Sequence, residues 1–203
     1  MKKLLIATTN PGKILEYKTL LSGLGIRLTS LKEEGISLDV EEDGKTFEEN
    51  AIKKAKEYCA VSNLPVLADD GGLEIDYLNG KPGVKSRRWP GHEASDQELI
   101  AMTLTKLAGV EWNKRKARLK VVIALAFPSD NKIYTSEGVK EGYIRKNPLN
   151  FTAGYPFRSL FYLPELGKTY SEISMEEEAK IAHRSEALNK LMPILKNKLT
   201  TSD

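Results

Sequence analysis

The stretch from Leu67 to Asp76, LADDGGLEID, constrains this chain more than any other, because an apolar run ends on two adjacent carboxylates, Asp69 and Asp70, followed by Gly71 and Gly72. An unpaired carboxylate in a dry interior is costly unless it binds a cation or takes up a proton. Two together at the end of a buried strand point to a divalent-cation ligand and a neighbouring base, delivered by a sheet to a cleft. The competing reading is a turn, in which Asp-Asp-Gly-Gly supplies side-chain caps and positive φ angles. On this segment alone the two readings stand level.

A chain of 203 residues with 40% apolar content can form one large domain or two small lobes around a substantial core. The net charge of +3 comes from 31 basic and 28 acidic residues, too even a balance to mark a nucleic-acid binder and compatible with a phosphate-bearing small molecule. The single cysteine, Cys59, excludes an intramolecular disulfide, and its place within a predicted helix suits a buried structural thiol in a reducing compartment. The opening MKKLLIATTN is too short an apolar run for a secretion signal and lacks a cleavage-site pattern, so it reads as a first strand. No apolar run approaches the ~20 residues needed to cross a bilayer. A soluble, cytoplasmic protein without membrane partners is expected.

The pattern predicts a strand over Lys3 to Thr8, a break at Asn10-Pro11-Gly12, and a helix with Ile14, Tyr17, Leu20 and Leu21 at helical spacing. A second strand is predicted over Ile26 to Leu31 and an acidic loop over Leu38 to Gly44. Thr46, with Glu49 three positions on, caps a helix to about Val61 whose inner face carries Phe47, Ala51 and Ala55. Asn79-Gly80 and Pro82-Gly83 mark turns, and Asp96 is expected to cap a helix bearing Ile100, Leu104 and Leu107. Arg118 to Phe127 and Lys132 to Ile144 read as an antiparallel pair, followed by a short strand over Leu160 to Leu163. One last helix is expected from about Glu176, with Leu188, Leu191 and Leu195 on one stripe and a frayed tail from Thr200 to Asp203.

Three further clusters carry chemistry. In ATTNPGKILEY, Ala7 to Tyr17, a strand hands over to a helix whose free first-turn amides suit phosphate. Lys13 adds a charge there, Thr8 and Asn10 add polar groups, and Glu16 follows three residues along the face of Lys13. In EEDGKTFEENAIKKAK, Asn50 and Lys54 are spaced i,i+4 on one helical face, just after the acidic Glu41 and Glu42. His183-Arg184 offers a donor fork and a switchable imidazole suited to a purine edge. Each has a plain alternative: an ordinary helix start, a solvated amphipathic helix, and a surface pairing with Glu176 to Glu178. His92 lies in a polar loop and receives no role.

The order and wording of ATTNPGKILEY, DGKTFEENAIKKAK, LPVLADDGGLEID, LNGKPGVKSRRWPG, LPELGKTYSEIS and AHRSEAL resemble the inosine triphosphate pyrophosphatase family over nearly the whole chain. The resemblance implies an α/β fold, with an elongated mixed sheet, flanking helices and two lobes around a central cleft, residues 1–203 forming a single catalytic domain, commonly dimeric. It implies Mg²⁺-dependent hydrolysis of non-standard purine nucleoside triphosphates to monophosphate and pyrophosphate. By position, Thr8, Asn10 and Lys13 would hold the triphosphate with Asn50 and Lys54 nearby. Glu42 and Asp69 would serve the metal, and Asp70 would polarise the attacking water. Ser86 and Arg88 would line the cleft, while Phe157, Arg158, His183 and Arg184 would sit toward the base. Lys13, Lys54 and the metal are expected to keep Asp70 ionised.

The sequence departs from the family pattern mainly near the expected base. Where the family usually has Gly-Phe-Gly-Tyr-Asp-Pro, this chain has Gly154-Tyr155-Pro156-Phe157-Arg158-Ser159, so an acid has become a base. Where the family usually has Lys-Asn-x-Ile-Ser-His-Arg, it has Glu178-Ala179-Lys180-Ile181-Ala182-His183-Arg184, so a base has become an acid. Gly71 replaces a serine, and Asn150-Phe151 stands where Arg-Gly is common. Arg158 and Glu178 are thus expected to form a reversed ion pair, and reversed donor and acceptor character is expected to shift base preference. Two other functions compete: a catalytically idle nucleotide-binding protein on the same fold, and a nucleic-acid module using Lys114, Arg115, Lys116, Arg118 and Lys120 as a backbone-contacting stripe.

Overall fold

A computed structural model of the chain describes residues 2–200, so positions 201–203 of the expected frayed tail lie outside the described residues. Among the described residues seven strands, β1 (Lys3–Ile6), β2 (Arg27–Ser30), β3 (Val66–Ile75), β4 (Lys116–Phe127), β5 (Asp130–Ile144), β6 (Phe161–Leu163) and β7 (Lys168–Thr169), are hydrogen-bonded in the order β2-β1-β3-β4-β5-β6-β7 as one mixed sheet with flanking helices. By compactness the chain divides into two units. The first takes in the chain up to Asp70, Val121–Gly138 and the chain from His183 onward; the second takes in Gly71–Lys120 and Val139–Ala182.

The first unit opens with β1 (Lys3–Ile6), α1 (Pro11–Leu20), β2 (Arg27–Ser30) and α2 (Phe47–Ser62). Helical crossovers between successive strands make them parallel: β1 pairs with β2 through Leu4 opposite Leu28, and with β3 (Val66–Ile75) through Ile6 opposite Leu67. Pro11 supplies a pre-set φ at the first position of α1, and Asn10 caps it, its Oδ1 accepting from the amides of Gly12 at 2.9 Å and Lys13 at 3.3 Å. Thr46 caps α2 as the sequence predicts, while Glu49 accepts from the amide of Lys45. The core joins Leu4, Ile6, Tyr17 and Leu67 to the β4 residues Val121, Ile123 and Leu125, and to Leu188, Leu191 and Leu195 of the last helix. Cys59 is buried, as expected.

The second unit holds α3 (Asp96–Lys106), β6 (Phe161–Leu163), β7 (Lys168–Thr169) and α4 (Met175–Ile181), while β4 (Lys116–Phe127) and β5 (Asp130–Ile144) run through both units. Its core gathers Leu73, Ile75, Leu99, Leu107, Leu119, Ile144, Phe157, Leu160 and Phe161.

Three expectations are corrected. The two aspartates do not end a strand, nor do they lie in a turn: β3 continues through Gly71 and Gly72 to Ile75. Gly72 makes this possible, because a Cβ there would overlap Ser86 Oγ and lie 2.8 Å from the Gly83 carbonyl. Ser95 rather than Asp96 caps α3, accepting from the amide of Glu98, since the Asp96 carboxylate is engaged by Arg87 and by the amide of Gly154 at 2.7 Å. The last helix is two: α4 starts at a Ser174–Glu177 capping box, and α5 (His183–Leu199) follows after extended Ala182. The leucine stripe begins only at Leu188, so periodicity carries no trace of the break. Among the described residues no helix is long and apolar enough to cross a membrane.

Gly138 on β5 sets how closely α5 approaches the sheet, since a methyl group there would overlap the His183 carbonyl oxygen and lie 3.0 Å from the Ala187 amide. Overpacking of this kind costs about 1–3 kcal/mol. Gly138→Ala is expected to lower the melting temperature by roughly 5 °C, measured by differential scanning calorimetry; an unchanged transition would show that α5 shifts freely.

Candidate active site

Successive strand residues point to opposite faces of a sheet, so Asp69 and Asp70 serve different helices. Asp69, 1% exposed, lies on the face that packs against α1 and α5, the face of Leu67. Its Oδ1 accepts from Lys13 Nζ at 2.9 Å and its Oδ2 from Arg184 Nε at 3.1 Å. Arg184 also reaches Glu16 Oε2 through Nη1 at 3.2 Å. Asp70, 7% exposed, turns toward α2, where its Oδ2 accepts from Asn50 Nδ2 at 2.8 Å. Lys54, one turn along α2 from Asn50, pairs with Glu42.

These surroundings drive the two carboxyls apart. Burial raises the pKa of Asp69, but Lys13, then Arg184 and Lys54, outweigh it and hold the group well below the usual carboxylate range. Burial also raises Asp70, the charge of Glu42 adds to it, and Lys54, Asn50 and Lys13 compensate only in part, leaving a pKa of about 6. Lys54 and Lys13 favour the ionised form as the sequence leads one to expect, but burial offsets more than their attraction, and the group remains mostly charged at neutral pH. Lys54 shows the complement: burial pulls its amine down, but Asp70, Glu42 and Asp69 together raise it. Adjacent carboxyls tuned in opposite directions provide a fixed anion and a base poised near neutrality.

The structure brings together Lys13, Asn50, Lys54, Glu42, Asp69 and Asp70 around β3, all in the first unit. Thr8 and Asn10 shape the loop entering α1, where Thr8 Oγ1 accepts from the Asn10 amide at 3.2 Å. His183 and Arg184 are buried at the start of α5, and Arg184 is directed at Asp69 and Glu16. Two participants escape a reading by residue type. Glu16 enters through Arg184; its spacing from Lys13 was the visible signal. Gly44 donates its amide to Asn50 Oδ1 at 2.7 Å, and a Cβ there would stand 2.5 Å from that same oxygen.

The remaining candidates lie in the second unit. Ser86 Oγ accepts from the Leu73 amide at 3.0 Å and donates to the Gly83 carbonyl at 2.7 Å, pinning its turn onto β3. Arg88 is exposed. Phe157 packs into the core and is only 8% exposed. Arg158 and Glu178 form the expected reversed pair at 2.5 Å. The basic stripe of the nucleic-acid reading is broken. Arg115 is buried and donates to the carbonyls of Ile144, Leu107 and Arg145, while Lys116 pairs with Glu141 and Arg118 with Asp76.

A lysine-lined pair of oppositely tuned carboxyls beside a helix N-terminus is chemistry suited to an α/β protein that handles phosphate, and comparison with known proteins gives the family. The Ham1 family profile matches residues 4–194. A Bacillus subtilis (strain 168) protein named dITP/XTP pyrophosphatase is 42% identical over 195 residues, spanning 96% of this chain and 98% of its own. A Geobacter sulfurreducens protein of the same name is 43% identical over 188 residues, 93% of this chain and 94% of its own. A solved HAM1 protein from Coxiella burnetii superposes with a TM-score of 0.85 at 36% identity, covering 97% of this chain and all of the other. The chain belongs to the Ham1 family.

The sign of the Asp70 shift gives a test that needs no substrate. A carboxyl whose folded pKa stands near 6, above its ordinary 3.8, binds more protons folded than unfolded between those values, so its contribution to stability falls as pH rises through the window. The full cost, on the order of 3 kcal/mol, applies above about pH 6. With chelator present, Asp70→Asn is expected to melt several degrees above the parent at pH 7.5, with the gap closing toward pH 4. A variant no more stable than the parent at pH 7.5 would rule out a strained carboxylate.

Proposed function

We propose that this chain is a Mg²⁺-dependent nucleoside triphosphate pyrophosphatase that converts dITP, XTP and related non-standard purine nucleotides to monophosphate and pyrophosphate. The observation that carries this reading is the split between Asp69 and Asp70, flanked by Lys13 and Lys54. The names and identities of the two curated relatives support the substrate class. The profile match, running across both units, supports residues 1–203 acting as one catalytic domain.

The donor set fits a hard cation. The charges of Glu42 and Asp69 both act on the Lys54 amine, so carboxylates from two elements gather around one cation, and Mg²⁺ characteristically takes one or two carboxylates and completes its shell with phosphate oxygens and water. Glu42 and Asp69 are the proposed holders. Asp69 already serves Lys13 and Arg184, yet an ionised carboxylate offers about four acceptor positions. The bound ion would supply charge neutralisation on the polyphosphate.

Every other role falls to the chain itself. Thr8, Asn10 and the first turn of α1 receive the phosphates, and Lys13 and Lys54 offset a triphosphate's charge of about four. Asp70, ionised above about pH 6, orients water and accepts its proton as the oxygen attacks the α-phosphorus, with pyrophosphate leaving. Asn50, fixed by the Gly44 amide, keeps the accepting carboxyl in place. Ser86, Arg88, Phe157, Arg158, His183 and Arg184 belong to the substrate side, several of them through packing. A cytoplasmic homodimer that engages neither nucleic acid nor membrane completes the reading.

With dITP, XTP, ITP, GTP, ATP and pyrimidine triphosphates in turn, Mg²⁺-dependent release of pyrophosphate is expected, greatest for dITP and XTP. Asp70→Asn is expected to lower kcat by about 10² or more with KM little changed. Nucleotide binding without any pyrophosphate would instead identify an idle binding protein, and unaltered turnover in the variant would remove Asp70 from the reaction.

A further inference from the structure

Within the second unit, the segment Gly154 to Ser159 is tied down on several sides. The Gly154 amide donates to Asp96 Oδ2 at 2.7 Å, the Leu149 amide donates to the Ser159 carbonyl at 2.8 Å, and Phe157 is sunk in the core. Arg158 supplies the tie to α4. Its Nη2 stands 2.5 Å from Glu178 Oε1, and its guanidinium lies over the ring of Tyr155, 3.8 Å from the centroid, and near that of Tyr170 at 4.8 Å. The two charged side chains are only 13% and 19% exposed.

We propose that Arg158 and Glu178 are a positioning clasp for this segment and not direct readers of the nucleobase. The inference rests on the pyrophosphatase reading above, in which the segment belongs to the base side of the substrate site. A mostly buried ion pair is expensive to open, because removing either partner leaves the other desolvated and uncompensated. The guanidinium gains further from the two aromatic rings, which favour arginine's flat, weakly hydrated cation. Turning either group to a nucleobase would forfeit these contacts.

The departures from the family pattern point the same way. An acid replaced by Arg158 and a base replaced by Glu178 leave the summed charge unchanged. Groups that each hydrogen-bond a base would have their donor and acceptor exchanged by such a swap, which rewrites selectivity. A pair whose partners answer each other absorbs it. Base preference is therefore that of the relatives, in contrast to the shift expected from the sequence.

The test exchanges the charges. Arg158→Asp and Glu178→Lys, each alone, put two like charges together, and each is expected to raise KM for dITP and XTP alike by about tenfold or more with kcat changed less than about threefold, the mark of lost uniform binding. The double variant restores a pair of opposite sign, and KM is expected to return to within about threefold of the parent with the ranking of dITP, XTP, GTP and ATP unchanged. The double variant remains readable even where the single ones fold poorly. Single variants with the parent's KM, a double variant that fails to recover, or one that recovers its melting temperature but reorders the bases by tenfold or more would each overturn the clasp. A parent enzyme releasing no pyrophosphate from any nucleotide would instead overturn the reading beneath it.

Discussion

An ionised carboxylate at 1% exposure cannot persist in a sheet without cations beside it, and Asp69 is the constraint around which the first unit is arranged. Lys13 from α1 and Arg184 from α5 meet on its two oxygens, so one side chain ties β3 to helices whose contributing residues lie 56 and 115 positions away in sequence. Glu16 closes the arrangement by holding Arg184 from α1. Loss of a partner from such a set typically costs 3–5 kcal/mol, because what remains is a buried unpaired charge. Tyr17, fully buried nearby, has its phenol held well above its ordinary pKa by burial and then by Asp69. The phenol therefore stays neutral beside the Asp69 carboxylate.

Strand geometry converts that constraint into chemistry. Adjacent residues on a strand face opposite ways, so Asp70 shares the backbone of Asp69 but not its direct contacts with Lys13 and Arg184. Asn50 donates to it, Lys54 is paired with Glu42, and the charge of Glu42 pushes against it. One carboxyl is over-compensated and the other under-compensated within one dipeptide. A turn or a strand end would leave both in similar, partly hydrated surroundings. The continuation of β3 through Gly71 and Gly72 keeps the pleat intact, and Gly72 allows this because the Ser86 turn takes the space a side chain would fill.

The parts legible in the sequence are those governed by local rules. Strand and helix periods, the Thr46 cap, the Asn79-Gly80 turn and the buried Cys59 all follow from spacing and residue type. The Arg158–Glu178 pair was legible because two departures from one pattern had opposite signs. What escaped depends on long-range contacts. The Asp96 carboxylate abandons the cap position because Arg87 and the Gly154 amide compete for it. Arg184 also pairs with Asp69, 115 positions away in sequence, and α5 begins afresh after Ala182, a break the leucine stripe does not record. The pKa of Asp70 depends on how completely water is excluded, which no residue pattern encodes.

The two units handle charge in contrasting ways. In the second, Arg158 and Glu178 cancel each other, and aromatic rings cover what remains, so the pair adds rigidity without adding field. In the first, Lys13, Lys54, Glu42 and the two aspartates leave an imbalance focused on Asp70. Such an imbalance is a cost to the unliganded fold, and in the proposed reaction a cation and a polyphosphate would complete the charge pattern. A carboxyl made comfortable by one more lysine would be more stable and a weaker base, since the same attraction that settles its charge lowers its affinity for a proton. The strained Asp70 beside the settled Asp69 is therefore the arrangement expected when selection acts on turnover with stability drawn from elsewhere in the core.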